Sequence, residues 1–474
     1  MSVLTVGFDL DMTLVDSRPG IAATYRVLSQ RTGVAIDTDL VVSRLGPPLV
    51  HEMAHWFPAE QVAEAVEEYR ALYSDHAIAP TVPLPGAVDA LAAVRAAGGR
   101  VVVVTSKLGR LARLHLEHHG FVVDAVAGDR WADGKTAALR EHGVDVYVGD
   151  HVADMASARD LCAAVGVTTG PCSAAELTGA GADVVLSDLT GFPNWFAGYL
   201  LDTRLADLDG RLRSIGRVVV AFSGGADSAF LLAAAVRALG PGSVTAATAV
   251  SASLPARELV AARELAAALG VPHVQVQTAE LDRPGYRANG GDRCYFCKAE
   301  LIEALAPVAA GAAILTGTNA DDAVAGFRPG IRAAAERGAV APLRDAGLTK
   351  AQVRAASRAW GLSTWDKPAA ACLSSRIAYG IAITPDRLAR VDRAEVRLRA
   401  ALAAAGLQVR DLRVRDLGDA ARVELDADLV GQVSARPDLL DAVRGAGFEA
   451  VEVDPRGFRS GAMNELLAQP ERYR

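Results

Sequence analysis

Lysine, cysteine and long apolar runs are all scarce in this sequence of 474 residues. Only five of the 49 basic residues are lysines, so a retained lysine indicates a position that needs a compact point charge on a thin stem. The five are Lys107, Lys135, Lys298, Lys350 and Lys367, all in or beside motifs that carry chemistry. Five cysteines in so long a chain do not indicate a disulfide framework.

No apolar run reaches the roughly 18 residues that a membrane-spanning helix needs, and the N-terminus is typical of a strand rather than of a signal peptide. The net charge of −7 argues against a broad nucleic-acid footprint. We therefore expect a soluble cytoplasmic protein that has neither a membrane nor a nucleic acid as its partner. The length predicts two or three domains.

Strands and helices alternate through most of the chain, which is typical of parallel sheets. Buried strands are predicted at 3–8, 101–104 and 146–148 in a first series, and at 217–222, 243–250, 273–277 and 312–317 in a second. From about residue 384 the pattern changes to charged helices and short strands at 412–414 and 421–425. The predicted fold class is therefore α/β, with two doubly wound parallel-sheet domains and a small C-terminal α+β domain.

The domain boundaries follow from this pattern. The first domain is predicted at 1–190, with an inserted helical cap at about 17–82. A connector at 191–212 leads to a second domain at 213–383, and the C-terminal domain spans 384–474.

Acidic and basic side chains follow the strands of the first series. Asp9 and Asp11 come directly after the first strand, and two carboxylates at this spacing can act as a nucleophile and a proton shuttle. Because the ends of parallel strands meet at one edge of a sheet, side chains that follow the later strands join them there. Those side chains are Thr105, Lys107, Lys135, Asp150 and Asp154.

These motifs, in this order, resemble the haloacid dehalogenase superfamily, in its phosphoglycolate-phosphatase-like branch with a helical cap. The resemblance implies that Asp9 is the nucleophile that forms an aspartyl-phosphate, and that Asp11 is the general acid and base. It also implies that Thr105 and Lys135 hold the phosphoryl oxygens and that the cap around 44–48 sets substrate choice. The implied Mg²⁺ ligands are Asp9, the carbonyl of Asp11 and Asp150, with Asp154 in support.

A histidine cluster lies between these motifs. His115, His118 and His119 have the spacing of one helix face, which can bind a metal. No cysteine or carboxylate partner is indicated, so we predict a solvated helix end instead. Cys162 and Cys172 are interpreted as small apolar residues.

The second series opens with a glycine turn between a strand and a helix. Free backbone N–H groups and the helix dipole at such a turn bind anions, and glycines let the backbone approach a phosphate closely. No lysine follows the glycines, so the Walker pattern is excluded. The turn resembles the PP-loop of ATP pyrophosphatases, which transfer AMP to an acceptor. The implied ATP-binding residues are Ser223, Gly224, Gly225, Asp227 and Ser228.

Three cysteines follow the glycine turn, Cys294, Cys297 and Cys372. The first two form a C-x-x-C motif, which alone is compatible with zinc or redox chemistry. Zinc would need a histidine such as His273 beside all three cysteines. The third cysteine is predicted on a loop beside Lys367 and Arg376, which would lower its pKa.

The motifs of the second half, taken together, closely resemble the LarE family, over roughly residues 210–465. They lie at 223–228, 293–298, 317–322, 327–330, 342–343, 347–350, 365–376, 413–415, 421–424 and 457–461. One departure is the loop at 323–326, which lacks an expected acidic residue after Asp322 and is one residue longer.

The resemblance implies an ATP-dependent sulfur transferase in synthesis of the nickel-pincer nucleotide of lactate racemase. Its implied substrate is pyridinium-3,5-biscarboxylic acid mononucleotide, a carboxylate of which would be adenylated and then attacked by sulfur. Asp227 and Ser228 would orient ATP and its Mg²⁺. Glu424 is a candidate metal or ribose ligand. Guanidinium groups bind phosphate bidentately, and the residues implied for the substrate phosphate are Ser375, Arg376, Arg413 and Arg415.

The family divides over the source of the sulfur. In sacrificial members one cysteine, which matches Cys372, gives up its own sulfur and becomes dehydroalanine. Members with three active-site cysteines hold a 4Fe–4S cluster with one open iron. Because Cys294, Cys297 and Cys372 are all present, the cluster is favoured here, and the sacrificial version stays open.

Other functions stand as alternatives. A tRNA thiolase with a housekeeping phosphatase domain would bring a basic RNA-binding appendage, which this acidic chain lacks. Amidating synthetases of the GMP or NAD type have no need of Cys372. A nucleotide sensor without turnover is disfavoured by Asp9, Asp11 and Cys372. The implied partners are small nucleotide substrates and proteins of the nickel-cofactor pathway, and a homo-oligomer is left open.

Overall fold

The computed structural model describes residues 3–324, 328–368, 371–459 and 462–466. The motifs at 327–330, 365–376 and 457–461, and the departing loop at 323–326, therefore lie partly outside the described residues. The chain divides into two compact units, Met1–Leu200 and Leu201–Arg474. Among the described residues, every helix is too short or too polar to span a bilayer.

A parallel sheet forms the centre of the first unit. The strands of this unit are β1 (Thr5–Phe8), β2 (Val15–Asp16), β3 (Val82–Pro83), β4 (Arg100–Val104), β5 (Ala125–Ala127), β6 (Val146–Gly149), β7 (Ala163–Val167) and β8 (Val184–Leu186). Six of them form the sheet in the order β5-β4-β1-β6-β7-β8, and β2 pairs with β3 in a separate antiparallel ribbon. The central strands are apolar throughout because helices cover both faces.

Helices surround this sheet and also build the cap. They are α1 (Arg18–Thr32), α2 (Thr38–Ser43), α3 (Leu49–Met53), α4 (Val62–His76), α5 (Ala87–Ala96), α6 (Gly109–His118), α7 (Asp133–His142), α8 (Val152–Ala158), α9 (Ala174–Ala180) and α10 (Phe192–Ile215). Helices α1 to α4 have an apolar core of their own, which includes Tyr25, Leu28, Met53 and Tyr69. The inserted helices therefore form a cap with its own packing.

The second unit contains a four-stranded parallel sheet and a smaller three-stranded sheet. The strands are β9 (Val218–Ala221), β10 (Val244–Val250), β11 (His273–Gln277), β12 (Ala313–Leu315), β13 (Leu412–Asp416), β14 (Ala420–Leu425) and β15 (Ala450–Val453). The larger sheet has the order β11-β10-β9-β12. In the smaller sheet, β13 pairs antiparallel with β14, which pairs parallel with β15.

The helices of the second unit begin with the later residues of α10, where Leu208 and Leu212 are in the core. The others are α11 (Ala226–Leu239), α12 (Ala256–Ala268), α13 (Pro284–Arg287), α14 (Arg293–Ala309), α15 (Ala320–Val324), α16 (Pro329–Glu336), α17 (Pro342–Asp345), α18 (Lys350–Ala359), α19 (Pro385–Ala404), α20 (Val430–Ser434) and α21 (Pro437–Arg444). The predicted fold class is confirmed: two parallel sheets are flanked by helices, and a small α+β sheet lies near the C-terminus.

Candidate active sites

Three carboxylates converge at the edge of the first sheet. Asp9 follows β1, and its backbone N–H donates to the carbonyl of Val148 in β6, at 2.8 Å. Asp150 and Asp154 follow β6, and the three side chains are buried with ligand oxygens within 4.8 Å of one another. The ammonium of Lys135 lies 3.2 Å from Asp9 Oδ1 and 2.5 Å from Asp154 Oδ1. Four residues predicted from three separate motifs therefore meet in one place.

Negative charge exceeds positive charge at this point. Burial raises the pKa of Asp9 to about 7, although Lys135 opposes the rise. Burial and Asp154 raise the pKa of Asp150 well above its ordinary value. Lys135 is the one ammonium among the three carboxylates, so two negative charges are left unbalanced when all three are ionised. Three such oxygen ligands fit a divalent cation such as Mg²⁺, which prefers carboxylate oxygens.

A glycine allows this packing. Gly170 lies against Asp150, and a Cβ atom there would stand 1.8 Å from Asp150 Oδ2. The Thr13 hydroxyl donates to Asp150 Oδ1 at 3.1 Å. The backbone of Gly170 on one side and the hydroxyl of Thr13 on the other therefore hold this carboxylate in place.

Asp11 has a different partner from Asp9. Lys107 Nζ donates to Asp11 Oδ1 at 2.5 Å and to the hydroxyl of Tyr73, on cap helix α4, at 2.5 Å. Burial favours the protonated carboxyl, but the ammonium of Lys107 outweighs it and holds the pKa of Asp11 below its ordinary value. The cap and the sheet thus meet at the side chain proposed as acid and base.

His115 belongs to this network and corrects one prediction. It is fully buried, with Nε2 at 3.0 Å from the Tyr73 hydroxyl and Nδ1 at 3.2 Å from Thr81 Oγ1. Burial and Lys107 lower its pKa to about 3, so the ring is neutral. The predicted solvated helix end was wrong for this residue, whose partners come from the cap and are not adjacent in sequence.

A cavity of about 230 Å³ extends from the carboxylates into the cap. The cap segment 44–48 lines it, as do Asp9, Asp11 and Lys135. Thr105 is buried after β4, and its hydroxyl accepts the backbone N–H of Lys107 at 3.1 Å. Its neighbours Ser106 and Lys107 line the cavity instead.

The glycine turn of the second unit connects β9 to α11. Gly224 has φ of +70°, which favours glycine, and Gly225 caps the helix. Ser228 Oγ accepts the backbone N–H of Ser223 at 3.3 Å and donates to the carbonyl of Gly225 at 3.1 Å. The helix N-terminus with its free N–H groups is therefore held open toward a cavity, as an anion site requires.

Two lysines from distant segments contact this turn. Lys350, at the start of α18, forms an ion pair with Asp227, and Asn319 Nδ2 donates to Asp227 Oδ1 at 3.3 Å. Lys367 Nζ donates to the carbonyl of Gly224 at 3.0 Å and to Glu258 at 2.8 Å. Asp227 is thus oriented by two partners.

All five lysines lie at the two sites. Lys107 and Lys135 contact the carboxylates of the first unit, Lys350 and Lys367 hold the glycine turn, and Lys298 lines the cavity beside that turn. The interpretation that each retained lysine has a local electrostatic task is consistent with these positions.

The cavity beside the glycine turn also contains sulfur. Its volume is about 370 Å³, and Ser223, Asp227 and Ser228 line one part of it. Cys297 and Cys372 line another part of the same cavity. A group bound to the turn is therefore within the same enclosed space as two thiols.

The third cysteine of the motif sits differently. Cys294 is exposed in the first turn of α14, one helical turn from Cys297. Burial raises the pKa of Cys297 well above its ordinary value, with Cys372 and Glu280 acting in the same direction. Removing a proton there requires a compensating positive charge. Cys297 and Cys372 line one cavity, so the structure brings together two of the three cysteines predicted as possible cluster ligands.

Lys367 and Arg376, expected beside Cys372, have other partners. Lys367 donates to Glu258 and Gly224. Arg376 is buried and pairs with Glu395 at 2.9 Å, and it also donates to the carbonyl of Cys372 at 3.0 Å. The carboxylates therefore balance much of the positive charge near this cysteine.

A third cavity, of about 240 Å³, is lined mainly by basic side chains. They are Arg257, Lys367, Arg376, Arg399, Arg410 and Arg413. Burial, with Arg376, lowers the pKa of Arg413 to about 10, as expected for crowded cations. Glu258 is the carboxylate that lines this cavity, and it also lines the cavity at the glycine turn. This basic cavity fits an anionic group such as phosphate.

The four residues predicted to bind the substrate phosphate are only partly brought together. Arg376 and Arg413 line the basic cavity. Arg415 instead pairs with Glu424 at 2.6 Å, and Ser375 Oγ donates to the carbonyl of Cys372 at 2.7 Å. Glu424 is thus a buried partner of an arginine in this structure.

Sequence reasoning missed three arginines of this cavity, Arg257, Arg399 and Arg410. Arginine is common throughout the chain, so nothing distinguished these three from surface residues. Tyr73 was missed because a tyrosine in an amphipathic cap helix is typical of core packing. Its contacts with Lys107 and His115 show its connection to the site.

Two family models match the chain. Residues 6–167 match haloacid dehalogenase-like hydrolase, and residues 206–284 match asparagine synthase. The two matches fall in different units of the structure, as the two separate sites do.

Three relatives each match part of the chain. An uncharacterized protein of Synechocystis sp. is 39% identical over 276 residues, which cover 57% of this chain and 100% of that protein. Pyridinium-3,5-bisthiocarboxylic acid mononucleotide synthase of Lactiplantibacillus plantarum is 36% identical over 276 residues, 57% of this chain and 97% of that protein. Phosphoglycolate phosphatase of Chromobacterium violaceum is 30% identical over 216 residues, 40% of this chain and 93% of that protein.

Proposed function

The chain belongs to the LarE family over its C-terminal part, fused to an N-terminal haloacid dehalogenase-like hydrolase, and from this premise we propose a specific pair of reactions. The second unit adenylates a carboxylate of pyridinium-3,5-biscarboxylic acid mononucleotide and converts it to a thiocarboxylate, for a nickel-pincer cofactor. The first unit is a Mg²⁺-dependent phosphatase. ATP and reduced thiols are both available in the cytoplasm, where we place this chemistry.

One observation carries the sulfur-transfer proposal: the glycine turn and two cysteines line a single cavity. A carboxylate oxygen of the substrate attacks the α-phosphorus of ATP, and pyrophosphate leaves. The product is a mixed anhydride whose carbonyl carbon accepts a sulfur nucleophile. The C–O bond to AMP then breaks, and AMP leaves with the electron pair. Both steps need the adenylate and the sulfur in the same enclosed space.

The residues of the turn have separate tasks in the first step. The N–H groups at the start of α11 bind the phosphates that leave as pyrophosphate. Asp227 is oriented by Lys350 and Asn319, so it can hold the Mg²⁺ that accompanies ATP. Lys350 would then pair with phosphate oxygens once the metal neutralises Asp227.

The basic cavity supplies a place for the phosphate of the substrate. Arg376 and Arg413 were expected there from the resemblance, and both line it. Glu258 and Ala371 line both this cavity and the cavity at the glycine turn. A mononucleotide phosphate bound by Arg413 would therefore place its ring toward the turn and the thiols.

The sulfur has two candidate sources, both of which use Cys372. A 4Fe–4S cluster held by Cys294, Cys297 and Cys372 would supply an open iron for exogenous sulfide. The protein's own task is then to keep three thiols deprotonated. Burial strongly disfavours the ionisation of one of them, Cys297. In the sacrificial version the sulfur of Cys372 leaves with the product, and one transfer per chain results.

The first unit follows a two-step phosphoryl transfer. Asp9 attacks the phosphorus of the ester, and the bond from phosphorus to the leaving oxygen breaks. The leaving oxygen takes a proton from Asp11, which must be protonated for this step although Lys107 favours its ionised form. Asp11 then takes a proton from the water that hydrolyses the aspartyl-phosphate. Asp9, Asp150 and the backbone carbonyl of Asp11, with Asp154 in support, would hold Mg²⁺, which would supply positive charge for the phosphoryl oxygens.

Pyrophosphate release tests the proposal. Anaerobic protein is mixed with ATP and pyridinium-3,5-biscarboxylic acid mononucleotide, and pyrophosphate and thiocarboxylate are measured with and without sulfide. We expect pyrophosphate only when the mononucleotide is present. The proposal would be contradicted if pyrophosphate were released with tRNA, or with ammonia and another acid, but not with this mononucleotide. Iron analysis and intact mass after turnover separate the two sulfur sources.

A further inference from the structure

The cavity of the first unit is larger and more aromatic than a small phosphate ester needs. It reaches from the catalytic carboxylates into the cap and measures about 230 Å³. One water position takes roughly 10–15 Å³ of such space, so the cavity holds on the order of twenty non-hydrogen atoms. Phosphoglycolate would fill less than half of it.

Aromatic rings form much of its wall. Tyr25 of α1 and Tyr69 of α4 lie with ring centroids 4.7 Å apart, and Tyr73 follows at 5.7 Å from Tyr69. Trp131 lines the other side with His151, at 5.5 Å between centroids. Such surfaces bind planar rings, and each stacked base contributes about tenfold to a hundredfold in affinity.

Polar atoms without partners lie in the same wall. Tyr25 is only 1% exposed, and its buried hydroxyl has no hydrogen-bond partner. Arg44 Nε, in the cap segment, is also buried without a partner. Buried polar atoms are normally paired, so these two indicate a ligand that supplies acceptors.

The charge at this end of the cavity is nearly balanced. Arg44 pairs with Glu52 at 2.6 Å, and Trp56 also donates to Glu52 at 2.8 Å. Burial and Glu52 raise the pKa of Tyr25 well above its ordinary value, so it stays a neutral phenol. Glu52 would repel a second strongly anionic group of the ligand. The polar edge of a neutral ring, in contrast, can form hydrogen bonds with both donors and acceptors at this end.

We infer that the first unit, whose phosphatase activity this inference takes from the proposed function, hydrolyses the phosphate of a mononucleotide. The phosphate lies at Asp9 and Lys135, and the planar base lies among the cap tyrosines with its polar edge at Tyr25 and Arg44. The P–O bond to the sugar breaks, the phosphoryl group passes to Asp9, and the sugar oxygen takes its proton from Asp11. Water then releases inorganic phosphate.

A substrate panel on the full chain with Mg²⁺ tests this inference. The panel contains AMP, UMP, nicotinamide mononucleotide, phosphoglycolate, acetyl phosphate and p-nitrophenyl phosphate, and phosphate release gives kcat/KM for each. At least one mononucleotide should exceed phosphoglycolate and acetyl phosphate by tenfold or more. Equal or better hydrolysis of the ester phosphoglycolate or of the anhydride acetyl phosphate would overturn the inference while leaving the phosphatase assignment intact. If no ester is hydrolysed, the assignment and the inference both fail.

Conservative variants locate the base. Tyr25→Phe and Arg44→Lys remove the two unpartnered groups and should lower kcat/KM for the mononucleotide about threefold to tenfold relative to that for acetyl phosphate. Trp131→Leu should lower the same ratio through the lost ring. Tyr199→Phe, which removes a hydroxyl from a residue outside the cavity, is the control. The inference would be overturned if the ratio of kcat/KM for the mononucleotide to kcat/KM for acetyl phosphate were the same in Tyr25→Phe and Trp131→Leu as in Tyr199→Phe.

Discussion

Asp9 should lower the stability of the metal-free protein as the pH rises, and the buried His115, whose pKa is lowered to about 3, should oppose this effect below its ordinary pKa of 6.5. Burial raises the pKa of Asp9 from the ordinary 3.8 to about 7, so the folded protein binds this proton more tightly than the unfolded chain does. A group of this kind stabilises the fold at low pH, and its contribution is lost as the pH rises through 7. Asp150 has a raised pKa for the same reason and acts in the same direction.

The magnitude follows from linkage. Between pH 5.5 and pH 8.5 the loss from Asp9 alone is about 2 kcal/mol, at about 1.4 kcal/mol for each pH unit below 7. In a unit of this length, Met1–Leu200, this contribution of Asp9 corresponds to roughly 4–8 °C in Tm. Thermal unfolding of the full chain in EDTA at the two pH values measures it.

Two comparisons isolate the cause. Saturating Mg²⁺ should abolish or reverse the fall, because metal binding requires ionised carboxylates. Asp9→Asn, which cannot ionise, should lose this contribution, so that its stability relative to the wild type rises by about 2 kcal/mol between pH 5.5 and pH 8.5 in EDTA. Asp75→Asn at an exposed position should keep a constant difference from the wild type. A constant difference between Asp9→Asn and the wild type at the two pH values would contradict the role given to Asp9.

Three further predictions concern activity. Asp227→Ala should lower pyrophosphate release at least about a hundredfold, while hydrolysis of p-nitrophenyl phosphate survives; equal loss of both activities would contradict two separate sites. Asp9→Asn should lower Mg²⁺-dependent ester hydrolysis by about a thousandfold or more and leave pyrophosphate release unchanged, as phosphate and pyrophosphate assays on one preparation will show. Arg413→Ala should raise KM for the pyridinium mononucleotide about tenfold to a hundredfold in the pyrophosphate assay. The control Arg422→Ala, on the half-exposed pair with Glu452, should leave KM unchanged. Equal effects of the two substitutions would contradict the placement of the substrate phosphate in the basic cavity.

The sequence alone predicted the elements that place chemistry at strand ends. Asp9, Asp150 and the turn at 223–228 each follow a run of buried strand residues, and the geometry of a parallel sheet brings such positions to one edge. The predicted strand ends differ from the observed ones by only a few residues for the same reason, since apolar runs define buried strands. Local pattern and topology therefore suffice for these residues.

Contacts between distant segments were not predictable in this way. His115 bonds to Tyr73 and Thr81, and its histidine neighbours suggested a solvated face. Lys350 reaches Asp227 from 123 residues away in sequence, and only its rarity suggested a role. The partners of Arg415 and Arg376 were also unpredicted, because any of the many acidic residues could have paired with them.

Both candidate sulfur sources require Cys372 after the carboxylate has been adenylated, either as the sulfur donor or as a ligand of the cluster. The test compares three anaerobic proteins: the wild type, Cys372→Ser and the control Cys162→Ser, whose substitution lies in the first unit. Each is incubated with ATP, sulfide and the pyridinium mononucleotide, and the products are identified by mass spectrometry. We predict thiocarboxylate from the wild type and from Cys162→Ser, and from Cys372→Ser pyrophosphate without any thiocarboxylate. Thiocarboxylate formed by Cys372→Ser at the level of the wild type would contradict the claim.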